Sequence, residues 1–282
     1  MLRVAAACVI GSCFVAGGTA SADDDVQPTN YPGTFVDRPL TLRGGDVRFD
    51  LRYQFQSFAG SDARSNQLAL GAAVGITDRL EVAVSHSRDA SYDLYGASGL
   101  ALEVGSDGGD FGDRLGNVYA AVRFGLLDAD GLGAAIEGGV EIPTGSNDAF
   151  RVVAALPLRA HLGDHFNIDM APELGIRFED TNMNGDREAH LDLNIPVAGV
   201  LQFGSAFWIA GNSGVFWPSF DLDLFYIPLI GEVGFTIRNG YTPVLDIELQ
   251  AGAPQLFTPG QSDGVNQHYW MSRANLRFFL AR

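Results

Sequence analysis

The sequence has no lysine. Its 18 basic residues are all arginine, against 34 acidic ones, for a net charge of −16. That balance excludes binding to nucleic acid through a basic surface. The two cysteines, Cys8 and Cys13, both lie near the N-terminus. The remaining chain therefore needs no disulfide and offers no thiolate metal site. Beyond the N-terminal stretch, no segment reaches the ~18 consecutive apolar residues of a transmembrane helix.

The N-terminal stretch reads as an export signal. Met1-Leu2-Arg3 is a short positive start, Val4 to Gly18 is small and apolar, and Ala20-Ser21-Ala22 is an A-x-A cleavage site before three aspartates. Residues 1–22 are thus predicted to be a signal peptide cut after Ala22. Residues 23–45 carry Pro28, Pro32 and Pro39 and keep no period. They are expected to form a periplasmic lead-in or a partial plug.

What the chain does have is alternation. From Asp46 to Gln56 every odd position is apolar or aromatic (Val47, Phe49, Leu51, Tyr53, Phe55), and every even position is charged or an amide. Side chains alternate across a strand, so such a segment carries one oily and one polar face. The pattern recurs about twelve times, and most segments reach the ~9–11 residues that a tilted strand needs to cross a bilayer. Predicted strands follow near 46–58, 64–76, 80–85, 118–126, 132–142, 152–162, 166–178, 191–202, 206–215, 225–238, 244–252 and 268–280. Short connections alternate with longer loops at 88–114, 180–188 and 254–266, and Asn239-Gly240 is the strongest hairpin signal.

An exported chain with weakly positive hydropathy and no helical span fits this pattern as an all-β protein. Residues 46–282 are expected to form a single antiparallel transmembrane β-barrel of about twelve strands, ten or fourteen being the alternatives. Lipid would face Phe49, Leu51, Val122, Leu156, Ile168, Leu193, Phe235 and Leu276.

The polar face supplies the candidate lumen. Closure of the last strand on the first would join Arg48 and Arg52 to Arg273 and Arg277. Arg123 is inward too. Acidic positions fall elsewhere: Glu137, Glu141, Asp169, Glu173, Glu232, Asp246 and Glu248. Opposed charge on facing walls sets up a transverse field that orients polar solutes in a wet pore. The alternative is a network of paired charges filling a closed barrel. Asp180, Asn182, Asn184 and Asp186 form half of a calcium-loop pattern, but Leu191 stands where the bidentate glutamate would be. A solvated acidic loop accounts for them as well.

Catalysis finds no support. His161 and His190 are inward, but neither has a serine two residues on, as the His-x-Ser-Asn arrangement of outer-membrane phospholipases would require. No enzyme activity and no cofactor are expected.

Gly75-Ile76-Thr77-Asp78-Arg79-Leu80-Glu81-Val82 resembles the G-[IL]-T-D-x-L-E-[VL] hairpin of transporter-type outer-membrane barrels. Phe111-Gly112-Asp113, the strand Val118 to Phe124, and Glu141-Ile142-Pro143-Thr144-Gly145 follow in order. The ordered set resembles the family named for the meta-pathway of phenol degradation, over about residues 71–145. The resemblance implies an outer-membrane conduit for small, including hydrophobic, solutes, and supplies no catalytic residues. The last strand departs from a common barrel pattern: Phe278-Phe279-Leu280 is followed by Ala281-Arg282 rather than ending on an aromatic residue. The expected partners are outer-membrane lipid, the barrel-assembly machinery and a small solute, with a monomer as the default state. The competing expectation is a closed, structural or loop-presenting barrel. The long 88–114 loop would serve it, either folded inward or extending a hairpin.

Overall fold

The computed structural model describes residues 32, 34–58, 64–86, 101–103, 118–129, 131–143, 150–178, 189–220, 225–258 and 269–280. All belong to one compact unit, Tyr31–Arg282. Its strands are β1 (Val47–Phe58), β2 (Arg64–Thr77), β3 (Leu80–His86), β4 (Ala101–Glu103) and β5 (Val118–Ala129). β6 (Leu132–Ile142), β7 (Phe150–Ala155), β8 (Leu158–His161), β9 (Phe166–Met170) and β10 (Glu173–Phe178) follow. β11 (Ala189–Phe203), β12 (Phe207–Trp217), β13 (Ile227–Asn239), β14 (Thr242–Phe257) and β15 (Tyr269–Leu280) complete the wall.

Every pairing is antiparallel, and β1 pairs with β15 from Val47↔Leu280 to Phe58↔Tyr269, which closes the ring. β7 and β8 are one crossing, and β9 and β10 another. β6 pairs with both β7 and β8, and β11 with both β10 and β9, in an unshifted register. With β4 set aside as a side piece on β2, the wall is a closed barrel of twelve crossings.

The two interrupted crossings have one cause. Pro157 and Pro172 lack the N–H that a ladder needs, and they lie on neighbouring strands beside Pro196 of β11. The ring stays joined through the groups that remain. Leu156 N–H donates to the Pro172 carbonyl (2.9 Å), Ala135 N–H to that of Pro157 (2.9 Å), and Ala171 N–H to that of Pro196 (3.3 Å).

The period-2 pattern sorts the faces. Phe49, Val122, Leu156, Ile168, Val233 and Phe235 are exposed on the outside. Arg48, Arg52, Glu141, Glu173, Glu248 and Arg273 are buried inside. Aromatic rings gather at both rims, as interface girdles do. Trp217, Phe225 and Phe257 neighbour one another at 6.1 and 5.9 Å at the long-loop end, and Phe203 and Phe207 lie 5.8 Å apart at the short-turn end. Asn239-Gly240 makes the expected tight hairpin, with Gly240 at φ +63°.

Three expectations are corrected. The sixth and seventh strands, read as continuous, are broken at their prolines, because alternation records faces and not backbone donors. The eleventh crossing does not stop at Gly252: β14 runs on to Phe257, past a register shift, with Pro254 inside it. The ninth crossing starts at Phe207 and ends at Trp217. Within the long loop, residues 101–103 are strand paired with Gln67–Ala69 of β2, in line with the expectation that the loop extends a hairpin.

Candidate functional site

The inside of the barrel is not filled by its wall alone. Along β2, β3 and β5 several inward residues are small, Ala69, Ala73, Ala83 and Ala121, and all are buried, beside the larger Glu81 and Tyr119. The space beside them is taken by residues 34–46, which enter the lumen as a strap before β1. Pro32 and Pro39 keep this segment from being helical beyond one 3-10 turn at Phe35–Asp37.

The strap is held from all round the ring. Phe35 N–H donates to Gln202 Oε1 (3.1 Å), and its ring stacks on Trp208 at 4.1 Å. Asn167 Nδ2 donates to the Val36 carbonyl (2.7 Å). Arg123 Nη1 donates to the Leu40 carbonyl (2.9 Å), and Arg159 Nη1 to that of Arg38. Leu42 N–H donates to Glu81 Oε2 (2.7 Å), and Gly44 N–H to Asp78 Oδ1 (3.0 Å). The strap runs so close to β2 that a Cβ on Gly75 would collide with the Arg43 backbone. Its centre is Arg38, which is 5% exposed and forks onto Asp246 at 2.5 and 2.9 Å. Removing one partner of such a buried pair strands the other. Leu42, fully buried, packs on Ala73, Ala83 and Phe279. The wall residues concerned lie beside the short turns, so the strap fills the short-turn end of the lumen.

The same end holds most of the tight ion pairs. Arg123 meets Glu137 at 2.6 Å and Arg159 meets Asp169 at 2.7 Å. Arg277 meets Asp50 at 3.0 Å and Glu248 at 2.8 Å, and Arg48 meets Asp50 at 3.1 Å. Closure of β15 on β1 therefore does bring Arg48, Arg52, Arg273 and Arg277 onto one seam, with Asp50, Asp246 and Glu248 set among them.

Toward the long-loop end the fit is looser. Arg151 meets three carboxylates, Glu173 at 3.0 Å, Asp192 at 3.5 Å and Glu141 at 3.8 Å, and Asp192 also has Arg177 at 3.8 Å. Arg273 donates to the amide oxygens of Gln54 and Gln250. Glu232 accepts from Asn212 (2.9 Å). Asn194 is 1% exposed, yet neither its Oδ1 nor its Nδ2 has a partner among the described residues. Counting round the ring, the β7–β10 wall stands opposite the β1–β15 seam.

The calcium-loop candidates Asp180, Asn182, Asn184 and Asp186 lie outside the described residues. The described part of residues 23–45 takes the partial-plug alternative, whereas Arg38 was not among the lumen residues read from the sequence. A signal was present: Phe35, Val36, Leu40 and Leu42 are too apolar for a segment resting in water.

No protein-family model matches the chain, and no curated protein matches it in sequence. Solved structures do match. The NanC porin superimposes with a TM-score of 0.55 at 10% identity, over 82% of this chain and 98% of that one. The KdgM porin in complex with disordered oligogalacturonate gives 0.52 at 8% identity, again over 82% and 98%. At such identities the likeness concerns the fold, and the fold of this chain is the twelve-stranded barrel of outer-membrane porins.

Proposed function

We propose that the chain is an outer-membrane conduit for small solutes, closed at its short-turn end by its own strap. One observation carries this reading. The lumen is occupied by a segment that is not part of the wall, held by hydrogen bonds, apolar packing and the forked Arg38–Asp246 ion pair. A barrel built only to be closed would fill its inside with wall side chains, whereas small wall residues here leave the room that the strap takes. A lumen filled this way can be emptied without unfolding the ring.

In this reading residues 1–22 are the cleaved export signal, the short turns lie in the periplasm and the chain is delivered by the barrel-assembly machinery. The protein belongs with the barrels named for the meta-pathway of phenol degradation, and hydrophobic compounds are among its cargo. The ordered Gly75–Gly145 motifs support that family, and the porin fold with aromatic rings at both rims supports the membrane setting.

The test is planar-bilayer conductance together with solute uptake into liposomes. The refolded chain is compared with Arg38→Met/Asp246→Leu, which removes both partners of the strap's ion pair and strands neither. Rare openings that become frequent in the double variant are expected. Silence of both proteins in both assays would favour the closed, loop-presenting barrel.

A further inference from the structure

Between the strap and the wall lies a small cavity that opens to solvent. Five guanidiniums line it, those of Arg38, Arg48, Arg123, Arg159 and Arg277. Glu81 is the one carboxylate among its described lining residues, and it is engaged by Leu42 N–H. The carboxylates that pair these arginines, among them Asp50, Glu137, Asp169 and Asp246, do not line the space and hold the guanidiniums from outside it. The charges that line the cavity are therefore five positive against one negative.

Two of those arginines also serve the strap: Arg123 donates to the Leu40 carbonyl and Arg159 to the Arg38 carbonyl. A neutral carbonyl is a weaker acceptor for a guanidinium than a carboxylate. The remaining lining is apolar, with Phe35, Leu40 and Phe279 around the space. A cationic rim beside an apolar wall matches a ligand with a charged head and an oily body.

We propose that this cavity binds an organic carboxylate. Its oxygens take Arg123 and Arg159 in place of the Leu40 and Arg38 carbonyls, and its body lies against Phe35, Leu40 and Phe279. Binding releases two attachments of the strap, so the solute itself loosens the segment that fills the lumen. That consequence rests on the conduit reading, whereas the binding does not.

The test titrates benzoate into the full chain refolded in detergent, read by calorimetry. Trp208 fluorescence reports the strap, because Phe35 stacks on that indole; Trp217 and Trp270 are replaced by Phe. Saturable binding is expected, with a Trp208 change at the same midpoint. Arg123→Gln should weaken it about tenfold or more, and Glu137 keeps Tyr119 as a partner in that variant. Leu40→Glu, which leaves every arginine pair in place, should weaken it comparably by setting a like charge in the cavity. Benzyl alcohol, acetate and inorganic phosphate should each bind more weakly than benzoate. Absence of saturable binding overturns the proposal, as does a match to benzoate by benzyl alcohol or phosphate, or indifference to Leu40→Glu. Benzoate binding by a barrel silent in conductance and uptake would keep the site and sink the conduit. Conductance without binding would sink the site alone.

Discussion

The two ends of the lumen are built differently. At the short-turn end each of Arg38, Arg123, Arg159 and Arg277 has a carboxylate at 2.5–3.0 Å, and the strap's backbone groups find wall partners. At the long-loop end one guanidinium is divided among three carboxylates at 3.0–3.8 Å, and a buried amide has no partner among the described residues. Both ends use the same residue types on the same strands. The difference lies in what stands opposite them. The strap supplies carbonyls, N–H groups and Arg38 at one end, whereas at the other the described chain outside the wall supplies Ser219 N–H, which donates to Asp192 (3.0 Å). A matched end is a closure, and an unmatched end is a place for water or solute to complete the hydrogen bonds.

Substitutions at each end can break this contrast. The largest effect is expected for Asp246→Ala, which strands Arg38 and takes one counter-charge from Arg277. Equilibrium unfolding in liposomes should show a loss of about 3–5 kcal/mol. A loss under 1 kcal/mol would mean that the pair is already wet and the short-turn end is not sealed. Val233→Arg, on the lipid face in the middle of β13, sets the scale for the wall itself. It should cost ~2–4 kcal/mol in the same assay, and tolerance of the arginine would put Val233 out of lipid.

Two buried amides give the sharpest pairwise comparison. Gln202 accepts from Phe35 N–H and donates to the Phe207 carbonyl (3.0 Å). Gln202→Leu leaves both groups unanswered and should cost about 1–3 kcal/mol. Asn194→Leu removes an amide that has no partner among the described residues, and should be neutral or stabilising by about 1 kcal/mol. Equal losses at the two positions would erase the distinction between the ends.

Much of this architecture is written in the alternation. Asp46 to Gln56 shows which residues face in, and Asn239-Gly240 fixes a hairpin, because both are local consequences of backbone geometry. The breaks at Pro157 and Pro172 were not legible in that way. Leu156 and Leu158 keep their places in the apolar series on either side, and the lost N–H leaves no mark on it. The partners of the inward charges were not legible either. Arg151 and Glu173 are on different strands, and only the register of β7 on β10 brings them within 3.0 Å. The strap was the hardest element to read. Phe35, Val36, Leu40 and Leu42 bury themselves with no period, because they pack into a space defined by strands far along the chain.

The central claim is that the strap is the closure of a passage. The most direct measurement fastens it. Val36→Cys and Asn167→Cys stand where Asn167 Nδ2 reaches the Val36 carbonyl at 2.7 Å. With Cys8 and Cys13 changed to Ser, a short reducible bis-thiol linker joins the strap to β9, and conductance is recorded before and after reduction in the same bilayer. A barrel that is silent while linked and opens once reduced is the predicted result. Equal conductance in the two states, or none in either, would contradict the account.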